Sequence, residues 1–441
     1  MWKAITIARL SVRQKRILDI SGVKYISLKK RFFLSDEYRC REEWERRRQA
    51  PIFQNMKLDE LYQDLDNKYQ NTGKVSAIDI DLFANAVQDE ENLDELDDLL
   101  HKLRLSASTT DMLPSTSHSV VRTYLALGRH DELLRILDDR LNYGVFPDDY
   151  CSGLLMDTFL KQHNYTGAAK VGVLHMLQED WSHCITSHLA LYSCHMYLRN
   201  PESTPWEDPS KTEEVEDDGE EIKVRVKYLR NPYFDDHFDL KEPKLLVGKT
   251  LASLGTVFPD SIGRTYELVG WGLYRKWDKA KAVLQGQGPA IFRDGLEMFK
   301  ASLEECEIRE ELLPLLTQLE SAGQVIGDDL HEAVVSKVRS EVSKQESEAI
   351  AAQCKLYKEW ETLREDLLQQ QLKELDKQQR LSNVRAEKER ISKDEEVLFF
   401  FDNEEKWELA IEKKRKFYRR RYFGKRKTFK SKDENYIPPE V

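Results

Sequence analysis

Apolar residues recur at spacings of three and four along much of this chain, the pattern of amphipathic helices. The clearest self-similarity lies between residues 115 and 183, where SVVRTYLALGRHDELLRILDD is followed by SGLLMDTFLKQHNYTGAAKVGVL. A shift of thirty-five residues places Val121 on Met156 and Tyr124 on Phe159. Each unit therefore predicts two helices joined by a short turn, which Gly128 provides in the first unit.

The ends of the predicted helices follow from local residue types. Asp131 suits the cap of the second helix, and the unit ends in YGVFPD, with Gly144 just past the helix and Pro147 preventing its continuation. One such hairpin cannot bury its apolar stripe alone, so neighbouring hairpins must stack. Degenerate copies occur near 93–100 and over 265–284. The pattern predicts an all-α solenoid of about four to six hairpins within residues 35–325.

An acidic insert interrupts this region. The segment WEDPSKTEEVEDDGEE (206–221) is too charged and too poor in apolar residues to fold, which predicts disorder. IKVRVKYL (222–229), directly after it, alternates well enough for a short strand.

A long helix is predicted over 328–411, because neither glycine nor proline occurs between Gly327 and Gly424. Its first half carries apolar residues at approximate three-four spacing, a seam for one partner helix: Val335, Val338, Val342, Ala349, Leu356, Trp360, Leu363 and Leu367. Beyond Leu375 the helix is charged all round, so it is either exposed to solvent or lies along another macromolecule. A dimeric coiled coil remains an alternative.

Charge is distributed unevenly along the chain, whose formal net charge is -11. Residues 1–34 carry nine basic side chains and one acid, and residues 413–432 carry twelve basic side chains and no acid. The stretch from 35 to 411 has 47 basic and 74 acidic residues. Such a body repels a phosphate backbone unless its positive groups gather on one face.

The basic N-terminal segment is typical of a targeting sequence. Residues 1–34 are rich in Arg and Lys and amphipathic when wound as a helix, which predicts a mitochondrial transit peptide and a location in the matrix. An ordinary basic N-terminal helix is the alternative interpretation.

The basic aromatic end, residues 412–441, predicts RNA binding, because Lys and Arg neutralise phosphates while Arg planes and aromatic rings stack on unpaired bases. The candidate RNA-binding residues are Lys413, Lys414, Arg415, Lys416, Arg419, Arg420, Arg421, Lys425, Arg426, Lys427 and Lys430. A solvated tail and a nuclear-import-like signal are the alternatives. The apolar segment VLFFF (397–401), with Trp407 and Ile411 nearby, needs burial, for which a neighbouring protein is a candidate.

The period of thirty-five, the two-helix unit and the YGVFPD ending resemble the pentatricopeptide-repeat family. With EYRCREEWERR after a basic leader and a long Lys/Glu/Gln helix, the chain is similar to the pentatricopeptide-type family of the mitochondrial small ribosomal subunit, the twenty-seventh in its series. The resemblance implies a pentatricopeptide-like solenoid with a long projecting C-terminal helix, and a structural role in which small-subunit ribosomal RNA and other small-subunit proteins are the partners.

The resemblance also assigns sequence-reading positions to His118 with Asp148 and to Gly153 with His183. Base-reading repeats typically pair Asn, Ser or Thr with Asp or Asn, and neither pair fits. This favours recognition of RNA shape and backbone, or docking of a protein.

Motifs for catalysis are incomplete. Gly248-Lys249-Thr250 imitates a phosphate-binding loop, but Pro243 stands at its required glycine, and His331-Glu332 lacks the second histidine of a zinc protease. Cys184, His188 and His195 are the best candidates for a metal site, without an evident fourth ligand. We therefore expect no enzyme, no cofactor, no small-molecule substrate and no membrane partner.

Two rival functions remain. One is a free mitochondrial RNA-processing or translation-activating factor with the same fold, and the other is a coiled-coil scaffold that binds no RNA.

Overall fold

The computed structural model describes residues 33–200, 206, 234–303 and 309–422, and this part of the chain is almost entirely helical. The predicted all-α solenoid with a long C-terminal helix is confirmed. We number the seventeen α-helices of the described part α1 Arg41–Arg46, α2 Pro51–Gln54, α3 Leu58–Thr72, α4 Ala77–Ala86, α5 Leu93–Leu105, α6 Pro114–Leu127, α7 His130–Asp138, α8 Asp149–Lys161, α9 Tyr165–Gln178, α10 Cys184–Arg199, α11 Pro243–Val257, α12 Ser261–Leu273, α13 Trp277–Gln285, α14 Arg293–Leu303, α15 Arg309–Ser321, α16 Leu330–Leu398 and α17 Phe400–Tyr422.

Two short strands are the only β-structure in the described ranges. Strand β1 (Ile291–Phe292) pairs in parallel with strand β2 (Val325–Ile326), with Ile291 opposite Val325 and Phe292 opposite Ile326. The pair joins the start of α14 to the loop that precedes α16.

The thirty-five-residue repeat forms two successive helical hairpins, α6 with α7 and α8 with α9. Gly128 ends α6 with φ +76°, a left-handed conformation that costs glycine little because it has no Cβ. The predicted cap is wrong, because α7 begins at His130, its N-cap residue is Arg129, and Asp131 lies in the first turn. There Asp131 still favours the helix, since a negative charge near the N-terminus complements the helix dipole.

The end of the first repeat also differs from the prediction. Helix α7 stops at Asp138, well before Gly144, which adopts φ +65° within the connecting loop. The loop ends at Asp148, whose Oδ1 accepts a hydrogen bond from the Cys151 amide at 2.7 Å and so caps α8. YGVFPD therefore leads into the next repeat and does not end the preceding helix.

The hairpin predicted over 265–284 is present as α12 and α13. Helices α11 and α12 approach closely because glycines line their contact: a Cβ added at Gly270 would lie 2.3 Å from the Ala252 nitrogen, and one at Gly255 would lie 2.5 Å from the Glu267 nitrogen. These distances leave no room for a side chain. The glycines of this pair are thus required by packing.

The chain divides into two compact units, Met1–Arg364 and Glu365–Val441. In the first unit the core begins before the predicted start of the folded region, because Phe33 and Leu34 are both buried. The Phe33 ring packs edge-on against Tyr192 with centroids 4.7 Å apart, and the Leu34 amide donates to Asp157 Oδ1 at 3.4 Å. Two residues of the expected leader are thus core residues.

The start of α16 packs within the first unit. Leu330, Val334, Val338 and Val342 are buried in the same hydrophobic core as the repeats. The apolar seam predicted to pack on one partner helix is therefore covered by the chain's own solenoid, with Val334 buried and Val335 only half-buried. Leu356 and Leu363, which the prediction also placed in the seam, are exposed.

The described part of the second unit is helical and rich in exposed charge. Ion pairs at spacings of three and four line α16, among them Arg380 with Asp376 at 2.5 Å and Lys393 with Glu389 at 3.0 Å. Helix α16 ends at Leu398 and α17 begins at Phe400, so the long helix predicted without a break has one at Phe399.

Several predictions fall outside the described residues: the leader up to residue 32, the acidic insert after Trp206, the short strand at 222–229 and the end of the basic tail from 423. Among the described helices, none combines the length and the apolar character that crossing a bilayer requires.

Candidate nucleic-acid interface

The first predicted base-reading pair is joined by a hydrogen bond. His118 Nδ1 lies 2.8 Å from Asp148 Oδ2, and the His118 side chain is fully buried. Burial lowers the pKa of His118 although Asp148 acts to raise it, which favours the neutral imidazole. Burial disfavours the charged carboxylate of Asp148, but His118 and the Cys151 amide outweigh it, and the pKa of Asp148 falls below its usual range.

Helix α16 covers this pair. Tyr357 Oη lies 3.0 Å from His118 Nε2 and accepts a hydrogen bond from Arg122 Nη1 at 2.7 Å. The Trp360 ring packs edge-on against the His118 imidazole with centroids 5.0 Å apart. Both ring nitrogens of His118 are thus engaged by the chain itself. An RNA base has no access to this reading position.

The second predicted pair also serves packing. Gly153 is buried against Tyr38, and an added Cβ would lie 3.2 Å from the tyrosine Oη. His183 is the N-cap residue of α10, where its Nδ1 accepts from the Thr186 amide at 3.3 Å. The residues that the resemblance assigns to base reading therefore hold the repeats together in this chain.

One group of metal-binding residue types meets at the first pair. Ligand atoms of His118, Asp148 and Cys151 lie within 4.8 Å of one another. They already contact each other, since Cys151 Sγ lies 3.2 Å from His118 Nδ1, and burial raises the pKa of the Cys151 thiol. Asp148 caps α8 through the Cys151 amide and also bonds to His118, which explains why these three residues lie together.

The metal candidates predicted from sequence separate into two places. Cys184 Sγ lies 3.4 Å from His188 Nδ1 on α10. His195 instead contacts His331 Nδ1 at 3.1 Å and Tyr266 Oη at 2.7 Å, where burial lowers the pKa of His195 to about 4. The three residues therefore do not form one ligand set.

The beginning of the basic tail belongs to α17. Lys413 and Lys414 are exposed, and the backbone of Arg415, Lys416, Arg419, Arg420 and Arg421 continues the helix. The side chains of those five residues, and all of Lys425, Arg426, Lys427 and Lys430, lie outside the described part of the chain. The basic run that begins at Lys413 therefore starts on helix α17.

The apolar segment before the tail is exposed within its unit. Val397 is 71% exposed, Leu398 75% and Phe399 50%, and the Phe400 ring packs edge-on against Trp407 with centroids 5.5 Å apart. Large exposed apolar groups in one short stretch are typical of a contact surface.

A cluster of arginines that the sequence did not single out surrounds Trp44. The Arg47 guanidinium lies 3.3 Å from the centroid of the Trp44 ring, and that of Arg122 lies 4.8 Å from it. Four arginines, Arg39, Arg41, Arg48 and Arg122, line a groove of about 370 Å³ beside this ring. The run ERRR at 45–48 was a local sign of the cluster, but the contribution of Arg122 comes from a distant helix.

Positive charge in this cluster is poorly compensated. Burial lowers the pKa of Arg47 to about 8, and the nearby guanidinium groups of Arg48 and Arg122 add to the effect. The buried Nε atoms of Arg47 and Arg48 have no hydrogen-bond partner. Glu45 is the one carboxylate lining the groove.

Residues 1–390 match the family model described as mitochondrial 28S ribosomal protein S27. The chain belongs to this family. Membership of the S27 family makes the chain a component of the small subunit of the mitochondrial ribosome, and so a mitochondrial protein. Ribosomal proteins of this kind are typically structural, and the predicted resemblance to the ribosomal family is confirmed. The pentatricopeptide character of the repeats stays a prediction.

In this S27-family chain the sequence motifs that imitate catalytic sites have structural positions. Gly248 lies inside α11, where an added Cβ would be 2.7 Å from Leu273 Cβ, and Lys249 donates to the Asp236 carbonyl at 2.7 Å. A phosphate-binding loop requires a strand-to-helix turn, which is not the geometry here. His331 lies in the first turn of α16 and contacts His195.

Proposed function

We propose that this small-subunit protein is a structural, non-catalytic component that binds ribosomal RNA and neighbouring ribosomal proteins and so supports mitochondrial translation. The family match carries the proposal, because it places the chain in a ribonucleoprotein. The RNA contact is assigned to the basic tail, in which residues 413–432 hold twelve basic side chains and no acid. Lys413 and Lys414 at its beginning are exposed, as phosphate contacts require.

Protein contacts are assigned to the exposed apolar segment around Phe399. Val397 and Leu398 are each more than two-thirds exposed within their unit, and burial in a protein interface removes such apolar area from water. The charged part of α16 that precedes the segment separates it from the solenoid along the sequence.

A free factor that reads RNA base by base is less well supported. Such a factor requires accessible side chains at the reading positions, whereas His118 is fully buried under Tyr357 and Gly153 under Tyr38.

A location in the matrix follows from the proposed leader. Because Phe33 and Leu34 belong to the core, we propose that the leader ends before Phe33 and not at residue 34. The mature protein isolated from mitochondria should therefore begin at or before Phe33, as determined by mass spectrometry of its N-terminal peptide. A mature chain beginning at Ser35 or later would contradict this boundary.

The RNA contact is tested by changing Arg419, Arg420 and Arg421 together to alanine in the tagged full chain. We expect the variant to dissociate from the small subunit at lower salt than the wild type, with the salt slope of RNA binding reduced by roughly two to three. Gradient sedimentation at increasing salt measures the first effect, and fluorescence anisotropy with RNA measures the second.

A matched triple variant serves as the control. Arg380, Arg385 and Arg390 are also three arginines on an exposed helix, but they lie among acidic residues, and two of them are already paired with carboxylates. Changing these to alanine should leave the salt slope unchanged. Equal losses in the two variants, or none in either, would contradict the assignment to the tail.

A further inference from the structure

The groove beside Trp44 has the charge of an anion-binding site in an otherwise acidic body. Residues 35–411 carry 74 acids and 47 basic residues, yet four arginines and a single carboxylate line this cavity. None of Arg39, Arg41, Arg48 or Arg122 forms an ion pair with a carboxylate of the described residues. Like charges repel at this density unless an anion lies between them.

Unused hydrogen-bond donors accompany the unpaired charge. In the groove itself, the buried Nε of Arg48 has no acceptor, which is uncommon because a buried donor normally finds a partner. Arg122, by contrast, is held rigidly, since Nη1 donates to Tyr357 Oη at 2.7 Å and Nη2 to the Arg39 carbonyl at 2.6 Å. The groove thus combines the fixed guanidinium of Arg122 with three further arginines that have no carboxylate partner, as suits a ligand rich in acceptor oxygens.

We propose that the groove between Trp44 and helix α6 binds a phosphodiester group of RNA. The inference rests on the proposed function, which supplies RNA as the ligand. Phosphate oxygens match the planar fork of arginine, and the groove's volume of about 370 Å³ lies within the range of about 300–1,000 Å³ that is common for small-ligand sites. Leu125, Ala126 and Leu154 form an apolar wall, which suits the less polar ribose beside a phosphate.

An acidic protein segment is the competing occupant, since a carboxylate also pairs with arginine. Its carboxylates carry no sugar beside the charged group, so an acidic segment covers less of the apolar wall formed by Leu125, Ala126 and Leu154. We therefore argue for RNA and treat the acidic segment as an outcome of the test.

The experiment measures binding of the full chain to an oligouridylate by fluorescence anisotropy at several potassium chloride concentrations. The variant changes Arg41, which is exposed, and Arg48, which is half-buried, to glutamine. We expect its salt slope to fall by about 1 to 1.5, since each phosphate contact in single-stranded nucleic acid contributes about 0.7. Affinity at low salt should fall by about tenfold.

A double variant of Arg129 and Arg275 to glutamine is the control. Both guanidinium groups are exposed and paired with carboxylates, so neither binding nor the slope should change. Circular dichroism and thermal melting confirm folding, and the single change Arg41→Gln, at an exposed side chain, provides a second variant with about half the slope effect.

The outcomes separate the two proposals. If the groove variant keeps the wild-type slope while the tail variant loses binding, the groove inference is wrong and the proposed function stands. If polyglutamate binds the wild type through Arg41 and Arg48 and the oligouridylate does not, the occupant is an acidic segment and the inference is again wrong. If neither the wild type nor its variants bind RNA, the proposed RNA-binding function fails first.

Discussion

Both halves of helix α16 carry large apolar residues, but they use them differently. Up to Arg364 the helix belongs to the first unit, where Val334, Val338 and Val342 are buried with almost no exposed surface. From Glu365 it belongs to the second unit, where Leu372 is 65% exposed and Ile391 55%. One helix therefore holds both an internal core contact and an exposed surface, and the presence of a large apolar residue alone does not tell which of the two it belongs to.

Two arginine–aspartate pairs show the same contrast between a buried first half of α16 and an exposed second half. Arg364 Nε donates to Asp81 Oδ2 at 2.7 Å with both side chains buried, and Asp81 also accepts hydrogen bonds from Ser115 and Thr116. Arg380 pairs with Asp376 at 2.5 Å, but both side chains are more than half exposed. The first pair is part of a buried network, and the second is a solvated ion pair of one helix turn.

Removing each arginine is the strongest way to test that difference. Arg364→Ala leaves the Asp81 carboxylate buried without its cation, so the free energy of unfolding should fall by about 3–5 kcal/mol. Arg380→Ala should cost less than about 1 kcal/mol, because water already screens that pair. Urea titration of the full chain followed by circular dichroism measures both, and similar costs for the two variants would contradict the contrast.

A smaller effect is expected from two valines on the same helix. Val338→Ala removes two buried methyl groups and should lower the free energy of unfolding by about 2 kcal/mol. Val384 is 50% exposed, so Val384→Ala should change it by less than about 0.5 kcal/mol. Helix propensity changes equally in both, which makes the pair a matched comparison. A larger loss at Val384 would show that this face is covered in the isolated protein.

Helix content was predictable because local residues determine it. The thirty-five-residue period correctly gave α6 to α9, and the absence of glycine and proline gave the long helix. Cap details were less predictable, since Asp131 lies two residues past the N-cap position that its residue type suggested. The break at Phe399 has no glycine or proline to mark it.

Contacts between distant residues could not be predicted from the pattern. The apolar seam of α16 was visible, but periodicity does not tell whether the partner is another chain or the same chain. Likewise His118 and Asp148 were recognised as a pair by their repeat positions, while Tyr357, which covers them, lies 239 residues from His118. The arginine cluster required Arg122 to meet the 39–48 segment in space.

Contacts between residues that are far apart in the sequence affect how the protein folds during its synthesis. Ser35 meets Glu346, Asp81 meets Arg364 and His118 meets Tyr357, so the amino-terminal helices are closed by residues that are synthesised much later. In a polypeptide that emerges amino end first, Asp81 and His118 stay exposed to water until 283 and 239 further residues, respectively, have followed. Until then, water or a chaperone has to solvate or cover the polar side chains of the amino-terminal half, which the carboxyl-terminal half later buries.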